Sequence, residues 1–327
     1  MRKIIRFSPH FQPEKVLILH SFKERVLQEE TTYEASFWSA VSGKISDYVQ
    51  FTKFRLAALV VFSSGIGYLI AANSFEWGRF LWFLLGGFLV TASSDGFNQI
   101  FERDLDKLMA RTANRPLPQN RMGLTEAYIA ATVMGIAGIS ILWFKMNPLC
   151  GMFSGISLIL YALVYTPMKQ KSPWAVFVGA FPGAMPPLLG YIAAGNGDSV
   201  GFYGWMLFAI QFIWQFPHFW AIAWVADEDY KKAGFRLLPS AGGRDKTSAF
   251  QVMIYTFFLV PLGMMPAFFG MIGNISGIVI IICGMAFSYQ AYKLYKFCTV
   301  ETAKRLMFGS FLYLPVVQLA ILFGKLH

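Results

Sequence analysis

The most charged stretch of an otherwise apolar chain reads NQIFERDLDKLMARTANRP, from Asn98 to Pro116, and it begins where the run RFLWFLLGGFLVTASSDGF ends. Asn98, Glu102 and Asp106 recur every four residues, so on a helix they form one stripe with Asp95 just above it. Asp104 points elsewhere, and Arg103 and Lys107 can bracket the stripe. A second acidic group, Asp227, Glu228 and Asp229, lies in WVADEDYKKAGFRLLP. Two acid clusters among bases suit Mg²⁺ bound to a phosphorylated ligand. This ion keeps waters and takes few carboxylates, leaving other positions to phosphate oxygens. Arg111, Arg115, Lys169 and Lys232 then hold the remaining phosphate charge. The competing reading is a solvated loop whose acids pair with neighbouring bases, and exposed pairs contribute little. Against it, the stripe continues into the apolar run through Asn98 and Asp95, where ionisable groups are costly and usually functional.

The elements that must position these groups follow from composition. Of 327 residues, 56% are hydrophobic and 17% aromatic, more apolar surface than a soluble fold of this length can cover. Apolar runs of about 20 residues, enough to cross a ~30 Å hydrocarbon core, recur along the chain. Nine spans are predicted, at 55–73, 80–99, 127–145, 148–167, 174–194, 202–224, 249–271, 275–293 and 305–324, which makes the chain an all-α polytopic membrane protein. Residues 1–46 read as a cytoplasmic or interfacial segment without a signal-type apolar region, and 14–28 and 36–52, the latter crossing its end, are candidate interfacial helices. Residues 47–327 form the membrane domain.

The net charge of +10 does not point to nucleic acid, because the positive residues cluster between the apolar runs. They gather in the N-terminal region and after spans two, four, six and eight, all on one side. The positive-inside rule makes that side cytoplasmic, so the N-terminus is inside and His327 outside. The polar clusters after spans two, four and six therefore meet at one membrane face. The connections after spans two and six are long for a bundle, as expected of a site or lid. Cys150, Cys283 and Cys298 have no paired spacing and build neither a disulfide framework nor a zinc site.

NQIFERDLDKLMARTANRPLP resembles the first aspartate-rich motif, NxxxDxxxD, of the UbiA-type intramembrane prenyltransferases, and its MxRTxxRPLP continuation is similar to that of the haem-prenylating branch. DYVQFTKFRLAALVVFSSGIGYLIA resembles the family's first span, with Phe54 where proline is usual. LVYTPMKQK resembles its tyrosine–lysine element, giving Tyr165 and Lys169. GAFPGAMPPLLGY, FIWQFPHFWAIAW, DEDYKKAGFRLLP and AKRLMFGSFLYL resemble haem-branch signatures, so the likeness covers nearly all the chain after residue 47. The resemblance implies a nine-helix UbiA-type bundle in a bacterial plasma (inner) membrane. It also implies farnesyl diphosphate and haem b as substrates, no redox cofactor, and a product passed to haem-modifying or cytochrome oxidase assembly proteins.

On that resemblance, Mg²⁺ is held by Asn98, Glu102, Asp106, Asp227 and Asp229, and the departing diphosphate by Lys169, Arg111, Arg115 and Lys232. The face of Tyr165 stabilises an allylic cation. Glu102 stands where the family has aspartate, a ligand longer by one C–C bond of roughly 1.5 Å, so either the helix is set back or Glu102 acts through water. His218, in WQFPHFW, is read either as a hydrogen-bonded bundle histidine beside Pro217 or as the group that orients haem, with Trp214 and Gln215 lining the porphyrin. Two other functions compete: a related prenyltransferase acting on an aromatic or quinone precursor, and a transporter of an anionic substrate, whose polar groups are expected near the midplane.

Overall fold

The computed structural model describes residues 38–195 and 199–326, and the candidate helix at 14–28 lies outside them. The chain divides into two units, residues 1–49 and 50–327. In the first, residues 38–49 are helical. In the second, the described residues include nine helices long and apolar enough to cross a membrane. They are α1 (Phe54–Ala71), α2 (Trp77–Phe101), α3 (Leu124–Met146), α4 (Pro148–Met168), α5 (Ala175–Ala194), α6 (Phe202–Val225), α7 (Lys246–Phe268), α8 (Asn274–Phe297) and α9 (Val300–Gly324). The chain is an integral membrane protein built as an all-helical bundle.

The helix boundaries show where capping overrides hydropathy. Helix α9 starts at Val300 rather than at the predicted 305, because the Thr299 side chain accepts from the Thr302 amide and carries the helix through its charged first turn. Helix α7 likewise starts at Lys246, where the Asp245 carboxylate accepts from the Ser248 amide at 2.7 Å. Asn147 and Pro148 turn the chain sharply between α3 and α4, with Asn147 Oδ1 accepting from the Cys150 amide at 2.8 Å.

Neighbouring helices pack in a ring that closes through α9 against α1. Helices α5 and α6 are the most enclosed, with 61% of the residues of their most apolar stretch buried. Helix α5 carries Pro182, Pro186 and Pro187, which its enclosing neighbours make tolerable by satisfying the freed backbone groups. Small residues let it approach α1: a Cβ on Gly67 would overlap the Pro187 carbonyl, and one on Gly190 the Ser64 carbonyl. Near the middle of α1, α6 and α9, Ser63, Gln211 and Gln318 form a closed neutral cluster with hydrogen bonds of 2.7–3.0 Å. The two acid clusters lie instead at the end of the bundle where α2, α4 and α6 finish.

Candidate active site

Helix α2 stops at Phe101, and Glu102 (φ −96°, ψ 6°) joins it to a single turn, Arg103–Asp106. The predicted stripe is thus bent rather than straight, yet it survives. The Glu102 amide donates to Asn98 O at 3.0 Å and the Asp106 amide to Glu102 O at 2.7 Å. This i to i+4 ladder keeps Asn98, Glu102 and Asp106 on one inward face, at 2, 5 and 0% exposure. Asp104 projects outward. Arg103 and Lys107 do not bracket the stripe. Both pair with Asp104, at 3.2 and 2.8 Å, because its exposed carboxylate is the nearest acid on their side of the turn. Their hydrogen bonds hold its carboxyl below the usual range.

Each inward acid faces one cation. Arg115 Nη1 lies 2.7 Å from Asp106 Oδ2, Lys169 Nζ 2.6 Å from Glu102 Oε1, and Lys53 Nζ 2.8 Å from Asp95 Oδ1. Burial raises the Asp106 carboxyl above its ordinary value, against the opposing pull of Arg115. Burial also lowers the Lys53 ammonium, with Asp95 opposing and the nearby Arg115 and Lys169 adding to the shift. Lys169 meets Glu102 Oε1 as an ion pair, while the buried Asp106 Oδ1 and Asp95 Oδ2 have no hydrogen-bond partner.

Asn98 is oriented from both sides. Its Oδ1 accepts from Lys53 at 3.1 Å, and its Nδ2 donates to Thr166 Oγ1 at 3.2 Å. Thr166 in turn donates its hydroxyl to the Tyr161 carbonyl at 2.8 Å, a group that also accepts the Thr166 amide at the end of the π-helical turn Leu160–Tyr165 of α4. That turn also places the buried Tyr165, whose ring centre lies 4.7 Å from Lys169 Nζ.

The second acid group occupies a short helix, Asp227–Lys232, after α6. Asp227 is turned to Lys231 at 2.7 Å and Arg244 at 3.5 Å, and Arg244 also reaches the exposed Glu228 at 3.1 Å. Asp229 is the member that meets the first acid loop. Lys232, donating to it at 3.0 Å, holds its carboxyl low, and the backbone amides of Arg111 and Ala110 add to that effect. The loops are fastened by Arg111 over the Tyr230 ring at 5.8 Å and by a patch of Met109, Ala233 and Phe235. The end of α4 joins them, with Gln170 Nε2 donating to Ala233 O at 3.3 Å and the Arg236 amide to Lys169 O at 3.4 Å. The three clusters therefore do meet.

Among the described residues no three His, Cys, Asp or Glu side chains lie close enough to hold a metal by themselves. The donor set nevertheless fits Mg²⁺ carried in with a phosphorylated ligand. Asp106 Oδ1 is buried without a donor and Glu102 Oε1 meets only the Lys169 ammonium, and such an ion needs only one or two carboxylates from the protein.

His218 stands apart, between α6 and α9. Its Nδ1 lies 2.8 Å from Ser310 Oγ and its ring stacks on Trp214 at 4.3 Å. Ser310 donates its single proton to the Met307 carbonyl at 2.6 Å, so at His218 it can only accept. The imidazole is then protonated on Nδ1 and keeps a lone pair on Nε2. Trp214 donates to the Ser310 carbonyl at 3.1 Å, and Gln215 is buried one residue along the same helix. Sequence reasoning missed Lys53, Thr166 and Ser310. An aspartate inside an apolar run calls for a cation partner, but spacing along the chain does not say which one.

The UbiA prenyltransferase family profile matches residues 59–314. The chain is 49% identical over 293 residues, 88% of this chain and 100% of the relative, to a protoheme IX farnesyltransferase of Cytophaga hutchinsonii. It is 33% identical to the mitochondrial protoheme IX farnesyltransferase of Arabidopsis thaliana, over 85% of this chain and 64% of that one. The fold is similar to a digeranylgeranylglyceryl phosphate synthase (TM-score 0.72, 23% identity, 86% of this chain and 98% of that one). It is also similar to a UbiA homolog from Archaeoglobus fulgidus solved with DMAPP and Mg²⁺ (TM-score 0.63, 15% identity, 84% and 99%).

Proposed function

The chain belongs to the UbiA prenyltransferase family, and from that membership we infer that it transfers the farnesyl group of farnesyl diphosphate to a vinyl group of protoheme IX (haem b), giving haem O. One observation carries the chemistry: Asp95, Glu102 and Asp106 are buried at one end of an apolar bundle, each facing a cation. The choice of acceptor follows relatives that match most of the chain.

Asn98, Glu102, Asp106 and Asp229 would hold Mg²⁺, with Asp227 beside them. Bound there, Mg²⁺ supplies positive charge against the departing diphosphate. Lys169 and Arg115 leave their carboxylates for phosphate oxygens, and Arg111 and Lys232 close over them from the two loops. Stabilising that charge eases cleavage of the allylic C–O bond. The face of Tyr165, already beside an ammonium, stabilises the resulting cation. The terminal vinyl carbon then forms the new C–C bond, which leaves the positive charge on the ring-side carbon. Water captures that carbon and gives up a proton to the released diphosphate, completing a hydroxyethylfarnesyl group. The apolar helices bury the farnesyl tail, at ~0.8 kcal/mol per CH₂. On the acceptor side, His218 would present its unprotonated Nε2 to the haem, with Trp214 and Gln215 lining the porphyrin.

In this reading residues 47–327 are the prenyltransferase domain and 1–46 an appended segment. The positive-inside pattern puts the charged end at the cytoplasmic face of a bacterial inner membrane, with the N-terminus inside and the C-terminus outside. Haem-modifying or cytochrome oxidase assembly proteins receive the product. The test is mass analysis of haem from membranes with and without the protein, then from purified protein supplied with haem b and farnesyl diphosphate. A mass gain of one farnesyl group plus one hydroxyl is expected, because the two carbons of the ethyl unit are those of the vinyl group. Protein that ignores haem yet prenylates 4-hydroxybenzoate or a naphthoate overturns the acceptor.

A further inference from the structure

Lys53 stands in the stretch DYVQFTKFRLAALVVFSSGIGYLIA, where the sequence alone gives it no role, yet its ammonium reaches the acid face. Its backbone is left-handed (φ 45°, ψ 50°), a conformation that residues with a Cβ seldom adopt. The kink falls just before α1 and is held on both sides. The Lys53 amide donates to Gln50 O at 3.2 Å, and its carbonyl accepts from Leu56 and Ala57 at 2.8 and 3.1 Å. The side chain is only 20% exposed. It spends one N–H on Asp95 Oδ1 at 2.8 Å and one on Asn98 Oδ1 at 3.1 Å, leaving a third.

The second of these bonds sits on an oxygen that the proposed metal needs. Asn98 cannot turn its other end to the ion, because its Nδ2 is fixed on Thr166. An ammonium and a divalent cation repel each other at one neutral oxygen, so one must withdraw when the other arrives. The structure provides for that exchange. Asp95 is 2% exposed, and its Oδ2 has no donor, so it can take the N–H that Lys53 withdraws from Asn98. Lys53 then remains beside Arg115 and Lys169 with a donor directed at whatever anion accompanies the metal. Three cations facing three carboxylates become three cations facing phosphate.

We propose that Lys53 is a diphosphate-binding residue, that Asp95 is the positioning residue that holds it, and that the Lys53–Asn98 hydrogen bond is the contact that metal and diphosphate break on entry. The proposal rests on the reading of the acid face as a diphosphate site. It distinguishes Lys53 from a structural ion pair, because a structural pair can be replaced by apolar residues with little loss whereas a ligand-binding cation cannot.

The test uses the full chain in nanodiscs and farnesyl S-thiolodiphosphate, a non-reacting analogue, with binding followed across a Mg²⁺ titration. Lys53→Met should weaken analogue binding about tenfold or more at saturating Mg²⁺, the loss of a charge-assisted hydrogen bond. Because that variant leaves Asp95 buried without a partner, the double variant Lys53→Met, Asp95→Leu is made alongside it. The double variant should melt near the wild-type temperature and still bind weakly. Wild-type affinity in the double variant overturns the proposal and leaves a structural pair. Asp95→Asn should raise the Mg²⁺ concentration for half-saturation several-fold, since Lys53 then loses its anionic partner and holds the Asn98 oxygen more firmly; an unchanged requirement removes Asp95 from the mechanism. Wild-type protein without Mg²⁺-dependent binding sinks the diphosphate reading itself, and this proposal with it.

Discussion

Asp95, Glu102 and Asp106 lie inside the bundle, each against one cation that is itself largely enclosed. Asp227, Glu228 and Asp229 sit on a short helix beyond the bundle, and their lysine partners are 64 and 57% exposed. The same residue types serve both, under opposite constraints. A buried carboxylate must bring its counter-charge with it, because desolvating either ion alone is expensive and removing one partner strands the other. Of the outer acids only Glu228 is open to water, at 82% exposure. Asp227 and Asp229 are 13 and 24% exposed, but the lysines they meet are solvated and such partners contribute little. The buried set can therefore hold a strong field in place before any ligand arrives, while the outer set is free to lose or exchange partners.

The largest effects should come from breaking each cluster at its key acid. Asp106→Asn and Asp229→Asn should each lower turnover by about 10²–10³ or more, as removal of a preorganised electrostatic group does. They should part company in stability. Asp106→Asn leaves Arg115 without its anion inside the protein and should lower the melting temperature, whereas Asp229→Asn should leave it unchanged. Arg115→Met is the sharper probe, with a stability cost of about 3–5 kcal/mol expected for stranding a buried charge. Equal melting temperatures for all three variants would break the comparison.

A change distant from both clusters should spare diphosphate. Ser310→Ala removes the partner that fixes His218 on Nδ1, and such supporting partners typically account for about 10–100-fold in metal affinity. Haem affinity should fall by about tenfold, with a shifted Soret band, while binding of a farnesyl diphosphate analogue stays at wild type. An unchanged Soret band and haem affinity would leave His218 a bundle histidine. Smaller again is Glu102→Asp, which keeps the carboxylate and should cost a few-fold in turnover, with Glu102→Ala far worse. Alanine equal to aspartate would take Glu102 out of the metal shell.

Much of this was legible in the sequence. Nine apolar runs gave nine helices, because length and hydropathy alone decide which segments can span a membrane. The spacing of Asn98, Glu102 and Asp106 gave their common face even though α2 ends between them, since the i to i+4 ladder outlasts the helix. The pairing partners were not legible. Lys53 and Asp95, or His218 and Ser310, are brought together by helix packing that no local pattern records. Arg103 and Lys107 show the complementary failure: adjacency to the stripe suggested a role, and a nearer exposed acid took both.

That last pair of bases supplies the smallest expected effect and the strictest check on the comparison, because it lies within the first motif and yet outside its buried part. Asp104 is two residues from both Glu102 and Asp106, and its side chain is 68% exposed. If acidic character near the metal face were what mattered, Asp104→Asn would impair turnover much as Asp106→Asn does. If burial decides, Asp104→Asn frees Arg103 and Lys107 into water, where such pairs count for little, and nothing is stranded. Turnover, Mg²⁺ requirement and melting temperature should all stay at wild type, and raising the salt concentration should remove any small difference that remains. Lys232→Gln makes the matching test in the outer cluster. Its exposed pair with Asp229 can be lost without harm to the fold, so only the affinity for diphosphate should fall, by a few-fold. A loss of turnover at Asp104 as large as at Asp106 would show that burial is not what separates the two kinds of acid.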